Sequence, residues 1–322
     1  MPKDGRTILA GLAGALALSL SAQSAAAESA LVFEYETGHV LYSEDPDTPW
    51  YPASLTKMMT AYLAFEAMRD HRATPDTKVF ISKNARFQPP TKLGLKEGED
   101  LPLSQALQAL MMKSANDIAV AIAETLGGDE PSFIKMMNQK AAELGMTRTH
   151  FINPHGLPAI RQVTTARDMA LLSRALLRDF PEHAHLYSET EAEIGKRRIG
   201  THNALLRTFD GGDGIKTGYT CASGYNLAAS ATRGDLKMIA IIFGGRTSGD
   251  RNRRAAALLE HGFRTFEWKS LHPIARIENL PRDNVGGGFE PDARMLKRFR
   301  VCKGPPPEVV KKKETYKKKA SK

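Results

Sequence analysis

Near the carboxyl end of the chain three strand-forming runs follow one another almost without interruption: GIKTGYT from Gly214, GYNLAASAT from Gly224 and LKMIAIIFGG from Leu236. Only the short turn RGD, 233–235, separates the last two. Parallel neighbours need a crossover of roughly a dozen residues or more, so connections this tight force antiparallel pairing. A second strand signal lies at the front. ALVFEY alternates through Leu31, Phe33 and Tyr35, Thr37 and Gly38 make a turn, and HVLYS returns as the second arm of a hairpin. Two strands from the front and three from the back predict one five-stranded antiparallel sheet in a mixed α/β fold.

The chain between them is mostly helical and is expected to form a separate lobe beside the sheet. LSQALQALMMK, NDIAVAIAETLGG, PSFIKMMNQKAAELG and TTARDMALLSRALLRDF carry helical periodicity, the third opening on Pro131 and closing on Gly145. Thr165 and Asp168 are placed to form a capping box at the start of the fourth. After Pro52, the spacing of Leu55, Met58, Met59, Tyr62 and Leu63 predicts an amphipathic helix beginning near Ala53, with Ser54 in its first turn and both methionines in the core. A last helix is expected from about Arg251 to Phe266. Beyond Trp268 the patterns fade into GGG at 286 and PPP at 305, which read as linker and tail.

Residues 1–27 read as an export signal: Lys3 and Arg6, an apolar run from Ile8 to Leu20, then Ala25, Ala26 and Ala27 before Glu28. The run is shorter than the roughly 20 residues of a membrane span and is interrupted by Gly11 and Gly14, so cleavage after Ala27 is expected. Export excludes nucleic acid as a partner, despite a net charge of +9. The last twelve residues, KKKETYKKKASK, supply +6 of that charge. Such a run is a solvated, disordered tail, with weak electrostatic contact to membrane or wall polymers, about 1 kcal/mol per Lys near an anionic surface, as its functional reading. Cys221 and Cys302, one in an apparent strand and the other near the tail, are expected to remain separate. The division is therefore signal at 1–27, one folded catalytic unit at 28–267, and linker with basic tail at 268–322.

Short motifs carry the chemistry. Ser54 and Lys57 form an SxxK pair whose spacing brings a hydroxyl and an amine to one helical face, but Ser132 and Lys135 match equally well. Ser114 with Asn116 is an SxN pair, as is Ser82 with Asn84, and Ser114 with Asp117 also reads as a capping box. KTG occurs once, at Lys216, Thr217 and Gly218. Its glycine either marks a bulge or lets an extended peptide lie close, while Lys216 and Thr217 bind an anionic group.

Order and context favour one set. SxxK at a helix start, SxN about 60 residues later between helices and KTG on a strand about 100 later, in an exported chain, resemble the motifs of serine penicillin-binding proteins and class A β-lactamases. Around them, TGHVLYSEDPDTPWYPASLTKMMTAYL, LMMKSANDIAVAIAE, LGMTRTHFINPHGL, TTARDMALL, GIKTGYT and SGYNLAASAT extend the likeness over about residues 30–267. The chain is similar to low-molecular-mass penicillin-binding proteins of the D-alanyl-D-alanine carboxypeptidase type. That resemblance implies a β-lactamase/transpeptidase-like fold and no cofactor or metal.

It also implies roles. Ser54 is the nucleophile, its own N–H and helix dipole beside the oxyanion, and Lys57 is its base, kept neutral by burial or by the charge of Lys216. Ser114 relays a proton, Asn116 holds the substrate amide, and Lys216 and Thr217 receive the terminal carboxylate. Gly218 admits the peptide. The N–H of Tyr219, a position often occupied by His in relatives, is the second oxyanion donor. Arg251 matches a position near the carboxylate, with Arg246 a neighbouring alternative, and His155 is expected to serve a structural turn. The substrate is the pentapeptide stem of peptidoglycan, and β-lactams acylate the same serine. A class A β-lactamase would add an ExxLN element, and no Glu between Asn116 and Lys216 is followed by xxLN. A non-catalytic wall-binding module is the rival of a different class. Many relatives continue into a β-rich domain and a membrane-lying amphipathic helix, whereas 55 residues follow Glu267 here and the Lys tail has no apolar face. A soluble or loosely adherent periplasmic enzyme is expected.

Overall fold

The computed structural model describes residues 29–282 and 290–302. Strands β1 (Ser29–Glu34), β2 (Val40–Glu44), β3 (Gly212–Thr220), β4 (Gly224–Arg233) and β5 (Leu236–Gly245) make one antiparallel sheet in the order β2-β1-β5-β4-β3. The front hairpin joins the late strands through β1 on β5, with Leu31 opposite Ile241. Helices α1 (Lys57–Arg69), α2 (Leu103–Gln108), α3 (Asn116–Gly127), α4 (Glu130–Glu143) and α5 (Ala166–Asp179) form the lobe, and α6 (Ser248–Ser270) and α7 (Ala293–Cys302) follow the sheet.

The unbroken apolar run of β5 reflects its central place, since a strand covered on both faces has no polar side. Ile239, Ile241 and Phe243 pack with the helical lobe, while Met238, Ala240 and Ile242 pack with Leu258 and Leu259 of α6. β3 ends the sheet as an edge strand, leaving its outer side beside the lobe, and the cleft described below lies there.

α1 differs from the expected amphipathic helix. It begins at Lys57, after a 3-10 turn over Ala53–Thr56, and is buried continuously over 57–65. A helix surrounded by protein is apolar all round, so Met58 and Met59 are core as read, and Lys57 and Thr60 are polar exceptions that must find partners. Thr60 does so by donating to Pro154 O at 2.7 Å. The Thr165 cap of α5 forms, accepting from Asp168 N at 3.1 Å. The carboxylate of Asp168 turns away from it to accept from Arg148 N and Thr149 Oγ1, so only half of the capping box is made.

Two expectations about the carboxyl end are corrected. Past residue 268 the chain stays folded. Val40 N donates to Ala275 O and Ile277 N to Gly38 O, so this stretch straps the front hairpin, and α7 buries Met295 and Phe299 against Tyr51, Val163 and Ala222. Docking of α7 also brings Cys302 to Cys221, and the two form a disulfide with Cα atoms 5.5 Å apart. Cys221 lies in the β3–β4 turn, not in a strand. The expectation of separate cysteines places Cys221 in a strand and Cys302 in a tail; it fails because Cys221 is in a turn and Cys302 ends a helix that folds back onto it. The export signal and the Lys tail lie outside the described residues.

A buried ion pair ties the front of the chain to this strap. Arg167 on α5 grips Asp47 with Nε and Nη2, both at 2.7 Å, and donates also to Leu280 O at 2.7 Å, with both side chains 1% exposed. Removing one partner strands the other charge in the interior, at a cost of about 3–5 kcal/mol. Arg167→Ala is therefore expected to lower unfolding stability by about that amount in a urea titration, and a change below about 1 kcal/mol would contradict the pair's structural weight.

Candidate active site

Three elements meet at a cleft of about 470 Å³: the 3-10 turn bearing Ser54, the α2–α3 junction bearing Ser114 and Asn116, and the outer edge of β3. Each is shaped locally. α2 widens into a π turn over Ala109–Lys113 and stops at Ser114, whose backbone is left-handed at φ +59°. A non-glycine residue there costs on the order of 1–3 kcal/mol and is held by its surroundings. The Ser114–Asp117 capping box does not form. Ala115 is the cap residue, and the Asp117 carboxylate instead accepts from Leu93 N at 3.0 Å and Gly94 N at 2.7 Å, fixing the loop that supplies Pro90 and Thr91 to the cleft.

Lys57 is the centre of the site. Fully buried, its Nζ lies 2.7 Å from Asn116 Oδ1, 2.7 Å from His155 O and 3.1 Å from Ser54 Oγ. Burial first, then the charge of Lys216, hold its proton affinity well below the usual 10.5 of lysine, against the opposing pull of Asp117. The order matters, because desolvation and not Lys216 is the larger cause. A neutral amine has two N–H donors and one lone pair. The two acceptor oxygens of Asn116 and His155 take the donors, which leaves the lone pair for the hydroxyl of Ser54.

A second amine–hydroxyl pair stands opposite. Lys216 Nζ, 2% exposed in side-chain surroundings of β3, lies 3.0 Å from Ser114 Oγ and 3.1 Å from Thr217 O. Burial, with the charge of Arg251 second, lowers its pKa to about 7. Arg251, at the start of α6, is 4% exposed and lines the cleft, while Arg246 is exposed outside it, which separates the two arginines left open by the sequence. Burial lowers its guanidinium to about 10. Of these three basic side chains only Arg251 lines the cavity; Lys57 and Lys216 are bonded to the lining hydroxyls of Ser54 and Ser114, and among the described residues no carboxylate lines it.

Gly218 has a role beyond admitting a peptide. A Cβ there would lie 2.9 Å from Leu55 Cδ1 and 3.2 Å from both Pro52 O and Ser54 N, so the missing side chain lets β3 touch the nucleophile's turn. Gly156 does the same from the other side. At φ +88°, its Cβ would fall 1.8 Å from Ala53 O. His155 beside it accepts from Leu157 N through Nδ1, and burial followed by Lys57 drops its pKa to about 3, so it is a neutral turn residue whose carbonyl serves Lys57.

The other motif matches fall away from the cleft. Ser132 N donates to Asp129 at the α4 cap and Lys135 is exposed, while Ser82 caps a short helix and Asn84 bonds Glu124 and Glu130 on the surface. Tyr219 lines the mouth, 54% exposed, with its ring tilted against that of Tyr225 at 4.2 Å between centres. Tyr225, Leu157, Ser248 and His202 also line it and were not singled out from sequence. His202 sits in an aperiodic loop and carried no signal there. Burial, then Lys216, lowers its pKa.

A serine sharing its hydroxyl with a buried amine, beside an edge strand that carries a second buried amine, defines the class of serine acyl-transfer enzymes. The chain belongs to the D-alanyl-D-alanine carboxypeptidase family, peptidase S11, whose family profile matches residues 17–247. It is 38% identical over 255 residues to D-alanyl-D-alanine carboxypeptidase DacA of Escherichia coli K12, covering 77% of this chain and 63% of that one. DacF of Bacillus subtilis 168 is 34% identical over 252 residues, covering 77% and 64%. The chain thus spans less than two thirds of the length of these relatives. Among solved structures, penicillin binding protein 5 of Haemophilus influenzae is 34% identical with a TM-score of 0.71, covering 74% of this chain and 71% of that one. Penicillin-binding protein D2 of Listeria monocytogenes, in its ampicillin-bound form, is 31% identical with a TM-score of 0.68, covering 74% and 97%.

A methyl group at position 218 would push the Ser54 turn from β3. Gly218→Ala is expected to slow acylation of Ser54 by a fluorescent penicillin by about 100-fold, the effect of misplacing a reacting group by roughly 1 Å. An unchanged rate would show that the close approach is not needed.

Proposed function

We propose that this protein is a serine-type D-Ala-D-Ala carboxypeptidase that removes the terminal D-alanine from peptidoglycan pentapeptide stems and is acylated by β-lactams. The observation that carries it is the 3.1 Å contact between Ser54 Oγ and the buried Nζ of Lys57, at a cleft lined by Arg251 and by Ser114, to which the buried Lys216 is bonded. A stem peptide lies along the outer edge of β3 as an added strand. Its terminal carboxylate meets Thr217, Lys216 and Arg251. Lys57 takes the Ser54 proton as Oγ attacks the penultimate carbonyl carbon, and the oxyanion gathers at the N–H groups of Ser54 and Tyr219. Asn116 holds the substrate amide. Ser114, bonded to Lys216, relays the proton that Lys57 took from Ser54 to the departing amine of D-alanine, which returns Lys57 to its neutral form. Water then attacks the acyl-enzyme, Lys57 takes its proton and hands it to Ser54 Oγ as the ester bond breaks, and the stem leaves one residue shorter.

A class A β-lactamase positions its deacylating water with a Glu, and among the described residues no carboxylate lines this cleft, which supports the carboxypeptidase reading. The intact Ser54, Lys57 and Lys216 set it apart from a non-catalytic wall-binding module. The N-terminal signal features support a periplasmic location, soluble or loosely associated with the membrane, with the Lys tail making weak electrostatic contact. Among the described residues no helix is long and apolar enough to cross a membrane. Recovery in the salt-released periplasmic fraction is the expected outcome of cell fractionation.

Ser54→Ala is expected to abolish both fluorescent penicillin labelling and D-alanine release from a pentapeptide; labelling that survives would move the nucleophile elsewhere. The pH profile follows from the two lysines. Acylation needs Lys57 without its proton, so kcat/KM rises with pH through a value far below 10.5. It needs Lys216 charged to hold the carboxylate, so kcat/KM declines as pH rises through about 7. A rate still climbing toward the ordinary lysine range would exclude Lys57 as the base.

A further inference from the structure

The two sides of the cleft are joined behind it by a seam. Trp50 Nε1 donates to Ser223 O at 2.9 Å, and Asn226 Nδ2 donates to Tyr51 O at 2.9 Å and Pro52 O at 3.2 Å. One side of the seam leads into Ser54 within two residues of Pro52; the other is the β3–β4 turn that follows Thr220 of the cleft wall, with the start of β4. Helix α7 lies across it. Tyr51 OH donates to Met295 O at 3.3 Å, Arg298 Nε donates to Ala222 O at 2.9 Å, and Phe299 and Met295 pack on Tyr51 and Ala222. The guanidinium carbon of Arg298 stands 4.8 Å from the Trp50 ring centre. The Cys221–Cys302 disulfide then bonds the end of α7 to the same turn, one residue beyond Thr220.

We propose that α7 is a strut for the catalytic cleft: Phe299, Arg298 and Cys302 are positioning residues that hold the Ser54 turn and the edge of β3 at one separation. The inference rests on Ser54 being the acylated serine. Its physical basis is that the two oxyanion donors come from the two elements that α7 bridges, one from Ser54 and one from the residue after Gly218. The Ser54 element is a 3-10 turn of four residues, and Tyr219 is the penultimate residue of an edge strand paired on one side only, so their spacing depends on what covers them. The family profile ends at residue 247, before α7 begins, so membership of the family does not by itself imply the strut.

The test uses the full chain carrying Cys221→Ser with Cys302→Ser, and separately Phe299→Ala with Phe299→Leu as its conservative counterpart. The second-order rate constant of acylation by a fluorescent penicillin is measured at 25 °C, with the melting temperature and the fraction of molecules finally labelled. The double variant and Phe299→Ala are expected to react at least about fivefold more slowly at an unchanged labelled fraction, as misplacement of a reacting group predicts. Phe299→Leu should restore most of the rate. Hydrogen exchange over 50–56 and 219–224 should quicken in the same variants. A lowered melting temperature with an unchanged rate constant would overturn the proposal, leaving α7 as a stabilising clasp only. Should the wild type fail to label at all, the Ser54 reading fails, and exchange alone decides the strut: quickening at both segments supports it, and no change at either overturns it.

Discussion

Burying the ammonium of Lys57 is the constraint on which the rest of the site depends. A charged lysine held dry and without a counter-ion costs several kcal/mol, and the cheapest escape is to lose the proton. The neutral amine then still needs two acceptors and one donor. They come from three separate stretches of chain: Asn116 at the start of α3, His155 in the turn after α4, and Ser54 one turn upstream. The base is competent only when all three are folded together, so the fold and the chemistry are one requirement.

The neighbouring cations extend the same logic outward. Lys216 and Arg251 are each buried and each lose proton affinity to burial first, so the empty cleft is electrostatically unfavourable. An anionic carboxylate relieves it. This is the exchange of stability for function that an active site makes, and the buried Asp47–Arg167 pair and the two-sided packing of β5 lie in parts of the fold where no such conflict exists.

Much of the architecture was legible. The five-stranded antiparallel sheet followed from period-two alternation and tight connections, and the motifs Ser54–Lys57, Ser114–Asn116 and Lys216–Gly218 all reach one cleft. What failed was what depends on partners at long range. Ser114 and Asp117 carry the residue types of a capping box, yet the π turn leaves Ser114 left-handed and Asp117 is taken by the loop at Leu93 and Gly94. The Cys221–Cys302 bond and the docking of α7 were hidden because a short helix after a glycine-rich stretch has no local feature that says where it returns. Nor did any local spacing show that the atoms nearest the missing side chain of Gly218 belong to the nucleophile's own turn.

By itself the sequence determined the five strands of the sheet, the main helices between them and, through PASLTKMM, the pairing of Ser54 with Lys57, because each is written in spacings of a few residues. Tertiary structure decided which of two SxxK pairs is dry and which is washed by solvent. It decided that Lys57 loses its charge, that Arg251 and not Arg246 faces the cleft, and that Cys302 returns to Cys221. The physical reason is the same in each case. Desolvation, electrostatic coupling and covalent closure depend on distances between residues far apart in the chain, and those distances exist only once the chain has folded.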